Sequence, residues 1–151
     1  MPVATVGDTA NARKAVTTDD IEAYADLVGD HNPIHVDDDY AEETMFDGRI
    51  AHGMLSAGVV SAALADLPGD VIYLSQDLHF QAPVEPGVTV EAAVEVVEQV
   101  GDDRLRVQTT VDADETTVLS GEAVVMSLPH ESDDAATIEA DAEADTEVGA
   151  D

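Results

Sequence analysis

The chain has 151 residues, 44% of them hydrophobic, enough for one domain with a real core and short for two. It carries 34 acidic residues against 5 basic ones, a net charge of −29, which repels nucleic acid and anionic membrane surfaces and excludes both as partners. It has no cysteine, so disulfides, zinc–thiolate centres and a thiol nucleophile are excluded too.

No basic-then-apolar leader opens the sequence, and its longest apolar stretch, residues 50–65, is shorter than the ~20 residues of a spanning helix and is broken by His52 and Gly53. The expectation is a soluble, cytoplasmic protein. Acid is spread through the chain, a pattern that resembles proteins of salt-accumulating cells, where added salt damps self-repulsion. Residues 130–151, including His130, hold nine acids, no Lys or Arg and no aromatics. Such a segment has too little apolar surface to offset ordering, so a folded domain over 1–128 and an acidic, disordered tail over 129–151 are expected.

In chain order, a strand around 11–16 is weakly patterned. Thr17 and Thr18 before "IEAYADLVG" predict a capped amphipathic helix that ends at Gly29, with Ile21, Tyr24 and Leu27/Val28 as its apolar stripe. The loop "GDHNPIH" follows, then a short helix over "DDDYAEET" capped by Asp37 or Asp38, whose acids suit a helix N-terminus better than a metal cluster. From Met54 to Ala65 the next helix, about residues 51–67, is small or apolar on every side, so it should be enclosed all round, with Ser56 and Ser61 as packing residues. Everything after it alternates as strand. Ile72, Leu74, Gln76, Leu78 and Phe80 share one face, with Gln76 in need of a partner there. Val88, Val90, Ala92, Val94 and Val96 share another, and Leu105, Val107, Thr109 and Val111 follow the Gly101-Asp102 turn. A last strand follows the Asp114-Glu115 turn. Long antiparallel strands and one apolar helix pack most economically as a curved sheet wrapped around that helix, the α+β hot-dog arrangement.

The loop carries the chemistry. A carboxylate and an imidazole held close can share one water as general base and general acid, and Asp30 and His35 offer that pair. Pro33 fixes its own φ and extends Asn32, while Asn32 can brace the turn by bonding backbone groups. Gly53 falls in the first turn of the apolar helix, where backbone N–H groups are unpaired and the dipole is positive, so its N–H can stabilise a developing oxyanion. Water at Asp30 and His35 facing a thioester carbonyl at Gly53 would hydrate an α,β-unsaturated thioester or reverse that step.

The segments "YADLVGDHNPIHVDDDYAEE" and "RIAHGMLSAGVVSAAL" resemble the hydratase-2 motif of the MaoC-like (R)-specific enoyl-CoA hydratases. Gly29, Asp30, Asn32, Pro33, Ile34 and His35 match, then Ala51, His52, Gly53 and Met54, and "LHFQAPVEPGVTV" is similar to the family's Phe-x-x-Pro-Val-x-x-Gly stretch through Phe80, Pro83, Val84 and Gly87. Val88 departs from the acid that often follows that glycine. The resemblance spans about residues 7–128. It implies Asp30 and His35 as the catalytic pair, Gly53 as oxyanion donor, an acyl-CoA thioester as substrate, no cofactor beyond the coenzyme A of the substrate, and a homodimer joined edge to edge.

Other readings stand beside these. His52 is expected to shape the loop by hydrogen bonding, His31 to be exposed, and His79 to face solvent or an interface. A metal site of Asp30, His31 and His35 is disfavoured, because the proline-containing loop denies helical ligand spacing. Met54 and Arg49 are weak substrate-binding candidates, Arg49 because only Arg13, Lys14, Arg49, Arg104 and Arg106 could meet coenzyme A phosphates. A hot-dog thioesterase is the rival enzyme, but its carboxylate on or beside the central helix has no counterpart before Asp66. A non-catalytic acyl-CoA-binding dimer is the third reading.

Overall fold

The computed structural model describes residues 2–129; the expected acidic tail and His130 lie outside the described residues. The order is β1 (Thr9–Ala15), α1 (Thr18–Val28), α2 (Pro33–Val36), α3 (Asp38–Glu42), α4 (Gly53–Ala65), β2 (Asp70–Gln76), β3 (His79–Phe80), β4 (Thr89–Gln99), β5 (Arg104–Ala113) and β6 (Thr116–Leu128).

Every strand pairing is antiparallel, in the order β1-β4-β5-β6-β2, with β3 also on β6. Alternation sets the faces: Val90, Ala92, Val94 and Val96 of β4 and Leu105, Val107, Thr109 and Val111 of β5 are buried, as the sequence predicts. Register shifts at Val96/Glu98, Tyr73/Ser75 and Val111/Asp112 mark bulges, which bend strands and so help the sheet to curl. The curled face packs on α4 through Val59, Val60, Ala63 and Leu64. Burying a side chain of this kind stabilises by about 1.5–3 kcal/mol before ordering entropy is subtracted.

Thr17 and Asp20 close a reciprocal capping box on α1, and Gly29, at φ 87°, ends the helix in the left-handed region. The Thr17 backbone N–H and the Lys14 ammonium, 3.0 Å away, hold the Asp20 carboxyl down at about 2. Asp37 caps α3 by accepting from the Tyr40 N–H.

Four expectations need correction. The buried face of α1 is Ile21 and Ala25, one turn apart, with Tyr24 half-buried; Leu27 and Val28 are exposed, because the helix runs past the core before it ends. The apolar helix α4 is covered on one side only: Met54, Gly58, Ser61 and Ala62 are exposed in the single chain, so Ser61 is not a packing residue within it, whereas Ser56 is buried. The stretch from Asp70 to Phe80 is two strands rather than one, because at Asp77 the side-chain carboxylate, not the backbone carbonyl, accepts the Glu122 N–H and interrupts the ladder on β6. The bulge at Leu74 also reverses the phase of β2, so Val71 packs on the core while Ile72 and Leu74 are exposed. Gln76 does find partners: its amide donates to Thr109 and to the Asp77 carbonyl, and Tyr73 donates to its oxygen.

Candidate active site

The "GDHNPIH" stretch is partly helical. Asn32 takes an extended backbone before the proline and accepts from the Ile34 N–H, Pro33 occupies the first helical turn, and His35 stands on the single turn α2. The Asp30 carboxylate accepts from the Asn32 N–H, an Asx turn that stiffens the loop. A turn so determined at both ends leaves His35 little freedom.

Two hydrogen bonds fix the imidazole tautomers. His35 Nδ1 lies 2.8 Å from the Ile50 carbonyl, and a carbonyl only accepts, so Nδ1 carries a proton, which in the neutral ring leaves the lone pair on Nε2. His52 Nε2 lies 3.0 Å from the Asp30 carbonyl and donates to it by the same argument. Its Nδ1 is buried with no partner among the described residues. The two rings stack at 3.9 Å and 28°, and Tyr24 lies tilted on the far side of His52 at 4.7 Å. His52 thus touches both members of the pair: the backbone of Asp30 and the ring of His35.

One nitrogen of each histidine and a carboxylate oxygen of Asp30 lie within 4.8 Å of one another. Two hydrogen bonds of ordinary length, about 2.8 Å each, let one water bridge such a gap. Stacked imidazoles point their lone pairs side by side rather than at a common point, and one nitrogen of each is already spent on a carbonyl. The arrangement therefore suits a shared water better than a metal ion.

His35, His52 and Gly53 open onto a cavity of about 510 Å³ whose walls include Phe46, Ile50, Phe80 and Leu119. Gly53 starts α4, and its N–H has no partner among the described residues. A Cβ at this position would stand 2.6 Å from the Phe80 ring, so glycine is what lets the ring lie against the helix start. A second cavity, about 490 Å³, runs along the outer side of α4 between Tyr24, Ala57, Tyr73 and Leu74, and Met54 walls both. Arg49 is turned away from a ligand role: its guanidinium, 11% exposed, pairs with Glu22 at 3.1 Å and Asp38 at 2.8 Å, tying α1 to α3. Burial works against its charge, yet the two carboxylates raise it above the usual arginine range. His31 is exposed against Asp26, and His79 is exposed near Asp77.

The structure adds three residues that the sequence reading did not single out for the site. Ile50 acts through its carbonyl, which leaves no trace in residue type. Phe46 and Tyr24 act as ring surfaces, and Tyr24 was assigned only to a helix stripe.

A curled antiparallel sheet packed on one helix, with a carboxylate and two imidazoles grouped at the helix start, is the hot-dog arrangement. The chain belongs to the MaoC-like domain family, which it matches over residues 3–132. It is 46% identical over 123 residues to an (R)-specific enoyl-CoA hydratase of Rhodospirillum rubrum, covering 80% of this chain and 85% of that one. It is 42% identical over 123 residues to a 3-hydroxybutyryl-CoA dehydratase of Methylorubrum extorquens, covering 80% and 78%. Among solved structures it is similar to the R-hydratase PhaJ1 of Pseudomonas aeruginosa, with a TM-score of 0.77, 36% identity and 85% and 88% of the two chains covered.

Proposed function

We propose that the protein is an (R)-specific enoyl-CoA hydratase, a hydro-lyase that adds water to a trans-2-enoyl-CoA to give the (R)-3-hydroxyacyl-CoA and runs the same step in reverse. The observation that carries this reading is the tautomer of His35. With Nδ1–H committed to the Ile50 carbonyl, Nε2 is left as the acceptor, and a His35 nitrogen and an Asp30 carboxylate oxygen lie within 4.8 Å, a gap that one water can bridge. The pair takes a proton from that water as its oxygen attacks Cβ, and returns a proton to Cα. The thioester oxygen, gaining charge as the enolate forms, docks on the Gly53 N–H at the positive end of α4. Asn32 and Pro33 shape the loop, and His52 holds it by the Asp30 carbonyl. The acyl arm lies along the apolar cavity, with Met54 on its wall. No cofactor beyond the coenzyme A of the substrate enters these steps.

Hydrolysis is disfavoured, since α4 carries no carboxylate between Gly53 and Ala65. The protomer pairs with a second copy through β2, an edge strand on which Ile72, Tyr73 and Leu74 are exposed beside the open side of α4.

The test is hydration of crotonyl-CoA, followed by loss of the enoyl-thioester absorbance with free thiol monitored in parallel. Asp30→Asn and His35→Gln are each expected to lower kcat by about 10²-fold or more, the scale of a lost general acid–base group, with circular dichroism unchanged. Thiol release accompanying the absorbance loss would instead establish a thioesterase.

A further inference from the structure

The charges of the chain are arranged in a way that bears on which carrier the substrate can have. Coenzyme A ends in several phosphate charges, whereas its pantetheine arm is neutral. A protein that grips the anionic end supplies lysines or arginines for it. Here the cavity wall contains none. Lys14 is paired with Asp20, Arg49 with Glu22 and Asp38, Arg104 with Asp103, and Arg106 with Glu98 and Glu122. Arg104 and Arg106 lie opposite Met126 and Val124, well along the sheet from the Val111–Leu119 row that walls the cavity. Arg13, with no ion pair among the described residues, sits on β1 opposite Glu91 of β4, three strands from β6. A second copy of the chain brings the same five cations.

The chain segments that supply the wall carry exposed acids instead. Asp39, Glu42, Glu43 and Asp47, all exposed, lead into the wall residues Phe46 and Ile50, and exposed Glu85 follows the wall residue Val84. The whole molecule adds a net charge of −29. Fields of this kind change encounter rates by about 10–10³-fold and reach ~10 Å at 0.1 M salt but only ~3 Å at 1 M.

We infer that this chain grips its thioester by the neutral acyl–pantetheine arm and repels the phosphate end of the carrier, so that ionic strength sets its preference between charged and uncharged carriers. The inference rests on the hydratase reading above. It makes these exposed carboxylates specificity-determining without placing them in the chemistry.

The experiment measures kcat/KM for crotonyl-CoA and for crotonyl-pantetheine on the same full-length protein across KCl and, separately, choline chloride. Because both substrates meet the same folded fraction, their ratio cancels any effect of salt on stability. The CoA-to-pantetheine ratio is expected to rise at least about tenfold between ~0.1 M and ~2 M salt, with either cation. In Glu43→Gln/Asp47→Asn/Glu85→Gln it should already be about threefold higher at ~0.1 M and merge with wild type at ~2 M. These positions avoid the Asp37 cap and the Asp38 ion pair, and Asp47, at φ 59°, is one where asparagine is readily accepted. A ratio that stays flat with salt overturns the inference, and one that falls overturns it by revealing a cationic cradle for the phosphates. A rise with KCl alone overturns it in favour of a bound potassium ion. A folded protein that hydrates neither thioester removes the activity, and the inference falls with it.

Discussion

At Gly53 a single methyl group decides whether the start of α4 can serve a substrate. The Phe80 ring lies where a Cβ would be, 2.6 Å from its ideal position, and the same residue offers the unpaired N–H. Phe80 is 54% exposed and its ring can swing aside, so Gly53→Ala should destabilise by only about 1 kcal/mol, the low end for overpacking. Activity should suffer more, because the displaced ring enters the cavity: kcat/KM for crotonyl-CoA is expected to fall about tenfold, since small misplacements in a site cost up to ~10²-fold. Adding Phe80→Ala should recover part of the loss. If the double variant is no better than Gly53→Ala, the ring is not the obstacle and the methyl group itself blocks the N–H.

Among the elements, α1 shows how a short amphipathic helix is held by its ends rather than by its face. It buries only Ile21 and Ala25, so the capping box carries much of the definition of its start. Asp20 titrates at about 2 in the folded chain against an ordinary 3.8. A carboxylate depressed in this way stabilises the fold above the ordinary value and loses that contribution as pH falls toward 2. Urea midpoints measured at successive pH values should therefore separate wild type from Asp20→Asn at neutral pH and converge near pH 2. A separation that persists there would assign the effect to packing rather than charge.

The same scale shows what residue order conveys and what it hides. Helix α1, a cap at Asp37 or Asp38 and the alternation of β4 and β5 were legible, because caps and period-two burial are local. The phase of β2 was not, because a bulge at Leu74 flips the strand without any glycine or proline to announce it. The coating of α4 was misjudged for another reason: a helix without a polar face says that it is covered, not which chain covers it. In the candidate site, the closeness of Asp30 to His35 and the place of Gly53 at the helix start were legible from spacing. The Ile50 carbonyl was hidden, since any residue could supply it.

For the whole molecule, the open side of α4 and the exposed β2 edge belong together. An edge strand displaying Ile72, Tyr73 and Leu74 on its free side invites strand pairing, and in the proposed dimer the second copy would add there. Light scattering in high salt should give twice the protomer mass for wild type. Leu74→Asp, which places a new charge on that edge in an already acidic protein, should give the protomer mass. A folded Leu74→Asp variant of unchanged mass would move the interface elsewhere.

Ile50 gives its carbonyl to His35 and its side chain to the cavity wall. Because the two duties fall on different atoms of one residue, the wall can be recut by exchanging the side chain while the imidazole stays aimed by an oxygen that every amino acid possesses. Taste and aim are thereby separable: exchanging this one side chain should change which acyl group fits while the His35 hydrogen bond stays in place.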